Sequence, residues 1–203
     1  MKIEELRKEL DETTRIFLSA KYYELDFRYV HSVRTTFPIV YSTFYFFIER
    51  VFYAVTVALI LDLSKLFDRR EKFSLGKLCN KMLDNYEKSE LNSHLTKSEL
   101  ETLFVFIEKG EIDNLLEKLK STRDKYYAHL DRNRPSFSEI QINSSETGKL
   151  ISIVENLLKT IELKYFGVSV DYGLTIGELG HNIFERLDEW EKYRETYGYI
   201  RED

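Results

Sequence analysis

An arginine and a histidine lie six positions apart in the stretch STRDKYYAHLDRNRP, residues 121–135. Cleavage of an RNA phosphodiester through attack by the 2′-hydroxyl needs groups that move protons and a cation that stabilises the phosphate, and these two side-chain types can supply them. A histidine such as His129 moves protons near neutral pH, and the guanidinium of Arg123 stabilises the charge on the phosphate. Asp124, directly after the arginine, can orient either partner through a charge-assisted hydrogen bond. We therefore take Arg123, Asp124 and His129 as the candidate catalytic residues.

The same stretch is basic, whereas the whole chain carries a formal net charge of -5. Proteins that bind nucleic acid through their overall electrostatic field usually have an excess of basic residues. Any contact of this acidic chain with RNA therefore has to be local. The candidate RNA- or phosphate-binding residues are Lys120, directly before this stretch, and Lys125, Arg132 and Arg134 within it. The alternative is an ordinary solvated helix end, whose cations complement the helix dipole.

Helix geometry sets a condition on how the pair can act. On an α-helix, Arg123 and His129 lie about 120° apart around the axis and about 9 Å apart along it, so they do not share one stripe. A single imidazole also cannot be base and acid at the same instant. Two copies of the helix related by a twofold axis would supply both histidines and both arginines in one groove. We therefore expect a homodimer.

The elements that position these residues are expected to be long helices, because only 8 glycines and 2 prolines interrupt the chain. Apolar residues recur at helical spacing from residue 2 to about residue 34. Pro38 marks the end of that helix or the first turn of the next. An aromatic-rich helix then continues to about Phe67.

Local capping signals predict where three further helices begin. Ser74 is a cap for a short helix over LGKLCNKMLDNYE. Thr96 with Glu99 forms a capping box before LETLFVFI, and Thr175 with Glu178 forms another before IGELGHNIFERLDEWEKYRETY.

The remaining boundaries complete a helical pattern. Gly110 is the expected stop of one helix, and the following helix, which carries the arginine and the histidine, has to end near Pro135. Residues 135–145 fit a loop or one short strand, and KLISIVENLLKTIELKYF predicts a helix. The pattern indicates an all-α fold, an elongated bundle of about six helices in a single domain over residues 1–203.

Two segments of the sequence resemble a known family. RDKYYAH, together with ALILDLSKLFDRREKFSLGKLCNKML at residues 58–83, is similar to the abortive-infection AbiU-like branch of the HEPN superfamily of helical ribonucleases and nucleotide-binding domains. That family's pattern is an arginine, a few residues, then a histidine, commonly with a polar residue after the arginine. The resemblance covers about residues 10–135 and leaves the C-terminal helices, residues 146–203, without support.

The resemblance implies an all-α, HEPN-like fold and a dimer that brings two motifs together. It also implies a metal-independent endoribonuclease of a phage-defence or toxin-antitoxin system, with Arg123 and His129 as the catalytic pair and Asp124 as the polar helper. The expected partners are a second copy of the chain, an RNA substrate and an antitoxin protein, in the cytoplasm and without a cofactor. Many members of the superfamily are instead non-catalytic RNA-binding or interaction modules, which is the alternative function.

One position departs from the pattern of some relatives. These carry a tyrosine two residues beyond the histidine, where a partner nucleotidyltransferase modifies it. This sequence has Asp131 at that place, which argues against control by that route.

Other kinds of site are weakly indicated. Glu178 and His181 have the spacing of one half of a carboxylate-bridged metal site, but no second such pair occurs, so no metal is predicted. Cys79 lies on an apolar face and is expected to be buried and inert. Glu49 and Arg50 interrupt the apolar segment 37–61, which favours a central bundle helix over a membrane span. The charged first 15 residues do not contain the hydrophobic core of a secretory signal.

Overall fold

Every regular element in the described part of the chain is a helix. The computed structural model describes residues 2–87, 94–108, 112–128, 142–173 and 184–192. The helices are α1 (Ile3–Thr36), α2 (Pro38–Thr43), α3 (Tyr45–Phe67), α4 (Leu75–Asp84), α5 (Lys97–Glu108), α6 (Asp113–Ala128), α7 (Ser144–Phe166) and α8 (184–192). The predicted all-α fold is confirmed.

The long first helix is the scaffold on which the others pack. Leu6, Leu10 and Phe17 follow one another at helical spacing and are fully buried, so α1 presents a continuous apolar stripe to the interior. α1 contacts α3 along its length and α7 along a second side, and α6 in turn packs against α3. α3 is therefore the central helix, as its aromatic-rich, apolar sequence indicated.

The aromatic-rich helix predicted up to Phe67 is interrupted once. Pro38 occupies the first turn of α2, where its missing N–H costs nothing. Phe44 then leaves helical geometry, with φ −109° and ψ 24°. Its N–H still donates to the carbonyl of Val40 at 2.9 Å, and its own carbonyl accepts from the N–H of Ile48 at 3.0 Å. The break is a local unwinding at one residue, because the backbone hydrogen bonds continue through it.

The predicted caps at Ser74 and Thr96 are confirmed. The Ser74 hydroxyl accepts from the N–H of Lys77 at 3.4 Å. The N–H of Thr96 donates to the Glu99 carboxylate at 2.8 Å, and the N–H of Glu99 donates to the Thr96 hydroxyl at 3.2 Å. Both signals are local, which is why the sequence alone revealed them.

The start of α7 lies inside the segment 135–145, where the sequence left loop and strand open. Asn143 caps the helix by accepting from the N–H of Glu146 at 3.0 Å, and Glu146 accepts from the N–H of Asn143 at 2.9 Å. Ser144 and Ser145 are thus helical. At the other end, Gly167 takes a left-handed conformation with φ 65°, which suits a residue without a Cβ.

In the described part of the chain, the buried apolar residues form two clusters. The larger one draws on α1 and α3 to α7 and includes Cys79, which is 1% exposed, so its predicted burial is confirmed. The smaller one lies where α1, α2 and α3 meet, and its buried members are Val30, Val33, Phe37, Val40 and Ile48. Phe184 and Leu187 of α8 pack on this smaller cluster.

No helix in the described ranges combines the length and apolar character needed to cross a bilayer. The expected stop at Gly110, the boundary near Pro135 and the capping box of Thr175 with Glu178 lie outside the described residues.

Candidate functional site

The guanidinium of Arg123 is held by carboxylates from two parts of the chain. Its Nη1 donates to Oδ2 of Asp68 at 2.9 Å. Its Nε and Nη2 donate to Oδ1 of the adjacent Asp124 at 3.1 and 3.0 Å. The side chain is only 19% exposed, so these contacts fix its direction inside a cleft.

Asp68 is shared between two arginines. It is the residue directly after α3, where the chain turns into the connection to α4. The Nη2 and Nε of Arg70 donate to Oδ2 and Oδ1 of Asp68 at 2.6 and 3.0 Å, which is the forked geometry typical of strong arginine–carboxylate pairs. The backbone N–H of Arg70 donates to Oδ1 as well, at 3.0 Å. One carboxylate therefore fixes Arg70 and Arg123 side by side.

This arrangement keeps all three groups charged. The hydrogen bonds from Arg70, and then from Arg123, hold the pKa of the Asp68 carboxyl far below its usual range, although burial opposes the shift. In turn, the hydrogen bonds that Arg123 and Arg70 donate to Asp68 raise the pKa of each arginine. The ion-pair cluster is therefore fully ionised at neutral pH.

A cavity of about 350 Å³ opens at this cluster. Its lining residues come from the end of α3, the α3–α4 connection and α6: Ser64, Phe67, Asp68, Arg69, Arg70, Leu116, Leu119, Lys120 and Arg123. The apolar side chains of Phe67 and Leu119 are nearly buried, whereas Arg69, Arg70 and Lys120 reach solvent. The cations outnumber the carboxylates, so the cavity favours an oxyanion.

The structure brings together some of the predicted site residues. Arg123 and Asp124 are in contact, and Lys120, one turn before, lines the same cavity. Lys125 belongs to α6, but its side chain is outside the described part of the structure. His129, Arg132 and Arg134 lie outside the described residues altogether. The pairing of Arg123 with His129 therefore stays a prediction.

Sequence reasoning missed Asp68, Arg69 and Arg70. They belong to FDRREKFS, which lies within the segment 58–83 of the family resemblance, but no role in the site was predicted for them. The signal was available, because an acid followed by two arginines at the end of an apolar helix can build a charged cluster. What the sequence did not reveal is that Asp68 meets Arg123, which is 55 positions away in the chain.

Within the described ranges, no group of three or more histidine, cysteine, aspartate or glutamate side chains is arranged to hold a metal ion. The pair of Glu178 and His181 lies outside those ranges. His94 has a packing role, since its ring lies 5.4 Å from that of Tyr165.

Comparison with known proteins gives one family. The model of the family HEPN_AbiU2, described as AbiU2, matches residues 2–183, which extends beyond the stretch where the resemblance was seen in the sequence. No curated protein and no solved structure gives a significant match to the chain. Since the match spans nearly the whole sequence and agrees with the all-α fold, this chain belongs to the HEPN_AbiU2 family, an abortive-infection-related group of HEPN domains.

Proposed function

We propose that this protein is a metal-independent endoribonuclease of a phage-defence or toxin-antitoxin system, acting at a composite site formed by two Arg-x5-His motifs in a homodimer. The observation that carries the proposal is the anchored guanidinium of Arg123 in a cationic cavity large enough for a phosphate. Family membership supports the same function.

The reaction assigns a different task to each side chain. One His129 takes the proton from the ribose 2′-hydroxyl, whose oxygen then attacks phosphorus. The bond from phosphorus to the 5′-oxygen breaks, and the second His129 donates a proton to that oxygen. Charge on the phosphate is stabilised by the arginines. The products are a 2′,3′-cyclic phosphate and a 5′-hydroxyl, with both histidines having exchanged protonation states.

Arg123 keeps capacity for a phosphate despite its carboxylate partners. A guanidinium has five N–H donors, of which Nε carries one and each Nη carries two. The hydrogen bonds to Asp68 and Asp124 use Nε, Nη1 and Nη2 once each. With respect to the described residues, one N–H on each Nη therefore remains for two phosphate oxygens, while the carboxylates hold the group in place.

The test is cleavage of single-stranded RNA by the purified protein, with and without EDTA. We expect EDTA to have no effect and His129→Ala to lower the rate by about 100-fold or more, since it removes both proton-transfer groups. Arg123→Ala should lower it similarly. Arg15→Ala, which removes an exposed arginine paired with Glu12, is the matched control and should cleave normally.

Cleavage that requires a divalent cation, or that survives His129→Ala at the wild-type rate, would refute the proposal. Melting curves of each variant separate loss of chemistry from loss of folding, because Arg123→Ala also removes a partner of Asp68.

A non-catalytic RNA-binding or protein-interaction module is the second candidate. The observation in its favour is that Asp68 and Asp124 already neutralise Arg123 within its own chain, as in a structural ion pair. In that case the protein binds RNA or a protein partner without cleavage, and His129→Ala leaves the binding unchanged.

A further inference from the structure

A second cavity, of about 430 Å³, lies towards the opposite end of α3. Its volume falls in the range of small-molecule sites, which is about 300–1,000 Å³. Residues from α1, α2 and the start of α3 line it, together with Asn143 and Ser144 at the beginning of α7. Arg123 and Asp124 are not among its described lining residues, and His129 lies outside the described part of the chain.

One wall of this cavity is aromatic. The rings of Phe27 and Phe52 are stacked, with centroids 5.1 Å apart and planes 24° apart. The exposed ring of His31 stacks on Phe27 at 6.4 Å and lies 6.0 Å from Phe52. The ring of Phe27 is itself buried and supports the other two, so His31 and Phe52 provide the faces on which a planar heterocycle can stack, as in proteins that stack nucleobases.

The polar edge of the cavity pairs an acceptor with a donor. The Tyr41 hydroxyl donates to Oε1 of Glu49 at 2.7 Å. Nη2 of Arg34 donates to that hydroxyl at 2.9 Å and reaches Oε1 of Glu49 at 3.5 Å. Tyr41 thereby holds the carboxylate and the guanidinium side by side. Oε2 of Glu49 accepts no hydrogen bond from the described residues, so it is available to a hydrogen-bond donor of a ligand.

We propose that this cavity is a guanine-binding site. The base stacks on the aromatic wall, and the Glu49 carboxylate accepts from the N1–H and the exocyclic amine, which are adjacent donors on guanine. Arg34 donates to the O6 carbonyl, an acceptor that arginine commonly recognises. Adenine presents an acceptor at N1 and an amine in place of O6, so it meets the carboxylate and the guanidinium with the wrong groups. Pyrimidines present a smaller stacking face.

The Glu49 side of the guanine site lies apart from the Arg123 cluster of the proposed cleavage site. Glu49 and Phe67 are separated by about 27 Å along α3, at 1.5 Å rise per residue. The base can belong to a free nucleotide or to an RNA strand, and the chemistry of recognition is the same in both cases. Failure of one proposal therefore does not decide the other.

The test is calorimetric titration of the full chain with GMP, AMP and CMP. We expect GMP to bind about tenfold more tightly than AMP or CMP, because only guanine satisfies both polar groups. Glu49→Gln should remove that preference by weakening GMP about tenfold, and His31→Ala should weaken all three ligands by removing a stacking ring. The control Glu12→Gln, at an exposed glutamate of α1, should bind GMP as the wild type does.

Short single-stranded RNAs distinguish the two sources of the base. An oligouridine with one guanosine that binds more tightly than GMP identifies the site as one for an RNA strand, and equal affinity identifies a free nucleotide. The proposal is overturned if neither GMP nor the guanosine-containing RNA binds, if AMP binds as tightly as GMP, or if a folded Glu49→Gln variant keeps the full preference.

Discussion

At the scale of single residues, Asp68 determines how the cationic cavity is built. It accepts hydrogen bonds from both Arg70 and Arg123. Among the described ion pairs, the one further carboxylate on either arginine is that of Asp124, which is adjacent to Arg123 in the chain. In the proposed function Asp68 is therefore a positioning residue, which would act on a bound phosphate through the arginines that it holds.

Replacing Asp68 by asparagine should destabilise the fold. The variant keeps the shape of the side chain but loses the charge that two arginines share, and we expect the free energy of unfolding to fall by about 1–2 kcal/mol. Urea denaturation measures this change. Glu12→Gln, at an exposed pair with Arg15, should change the same quantity by less than about 0.5 kcal/mol. Equal effects of the two substitutions would contradict the role given to Asp68.

The contribution of Asp68 should also depend on pH in a defined direction. Its folded-state pKa is depressed, so its contribution is fully present above the unfolded-state value of about 3.9 and is lost as pH falls towards the folded-state value. The difference in unfolding free energy between wild type and Asp68→Asn should be constant from about pH 7 to 5 and shrink below about pH 4. A difference that shrinks between pH 7 and 5 instead would assign it to another group.

At the scale of helices, the sequence predicted what local signals encode. The 34-residue α1, the Ser74 cap and the capping box of Thr96 with Glu99 were recognisable because spacing and capping chemistry lie within a few positions. The unwinding at Phe44 was not recognisable, since no glycine or proline marks it. The contact of Arg123 with Asp68 was also missed, because it depends on how α6 packs against α3 rather than on either segment alone.

The capping box of α5 provides a test at this scale. Thr96→Ala removes the hydroxyl that accepts from the N–H of Glu99, and we expect a loss of about 1 kcal/mol in the free energy of unfolding. Thr102→Ala, at an exposed interior position of the same helix, is the matched control and should be neutral or slightly stabilising, since alanine has the higher helix propensity. Chemical denaturation of both variants gives the comparison. A larger loss for Thr102→Ala would show that helix propensity does not govern this element.

At the scale of the whole molecule, the proposed composite site predicts how subunits cooperate. If each site needs both copies of His129, a dimer with one His129→Ala chain is inactive. When wild type is refolded with an equal amount of the variant, about one quarter of the dimers contain two wild-type chains. The mixture should then cleave RNA at about one quarter of the rate of the same total amount of wild type. A site contained in one chain would leave about one half. RNA cleavage by the mixed sample, with dimer content checked by light scattering, separates these outcomes.

The division of the interior into a larger and a smaller cluster has a consequence for motion. Among the described residues, the end where α1, α2 and α3 meet buries fewer apolar side chains, so we expect its separation to require less free energy than unfolding of the remainder. We expect amide hydrogens there to exchange with solvent through partial opening. Those beside Leu63 and Phe104 should exchange only through global unfolding. Arg34 and Glu49 of the proposed guanine site thus lie at the end that opens more easily, whereas the arginine cluster lies against the larger cluster.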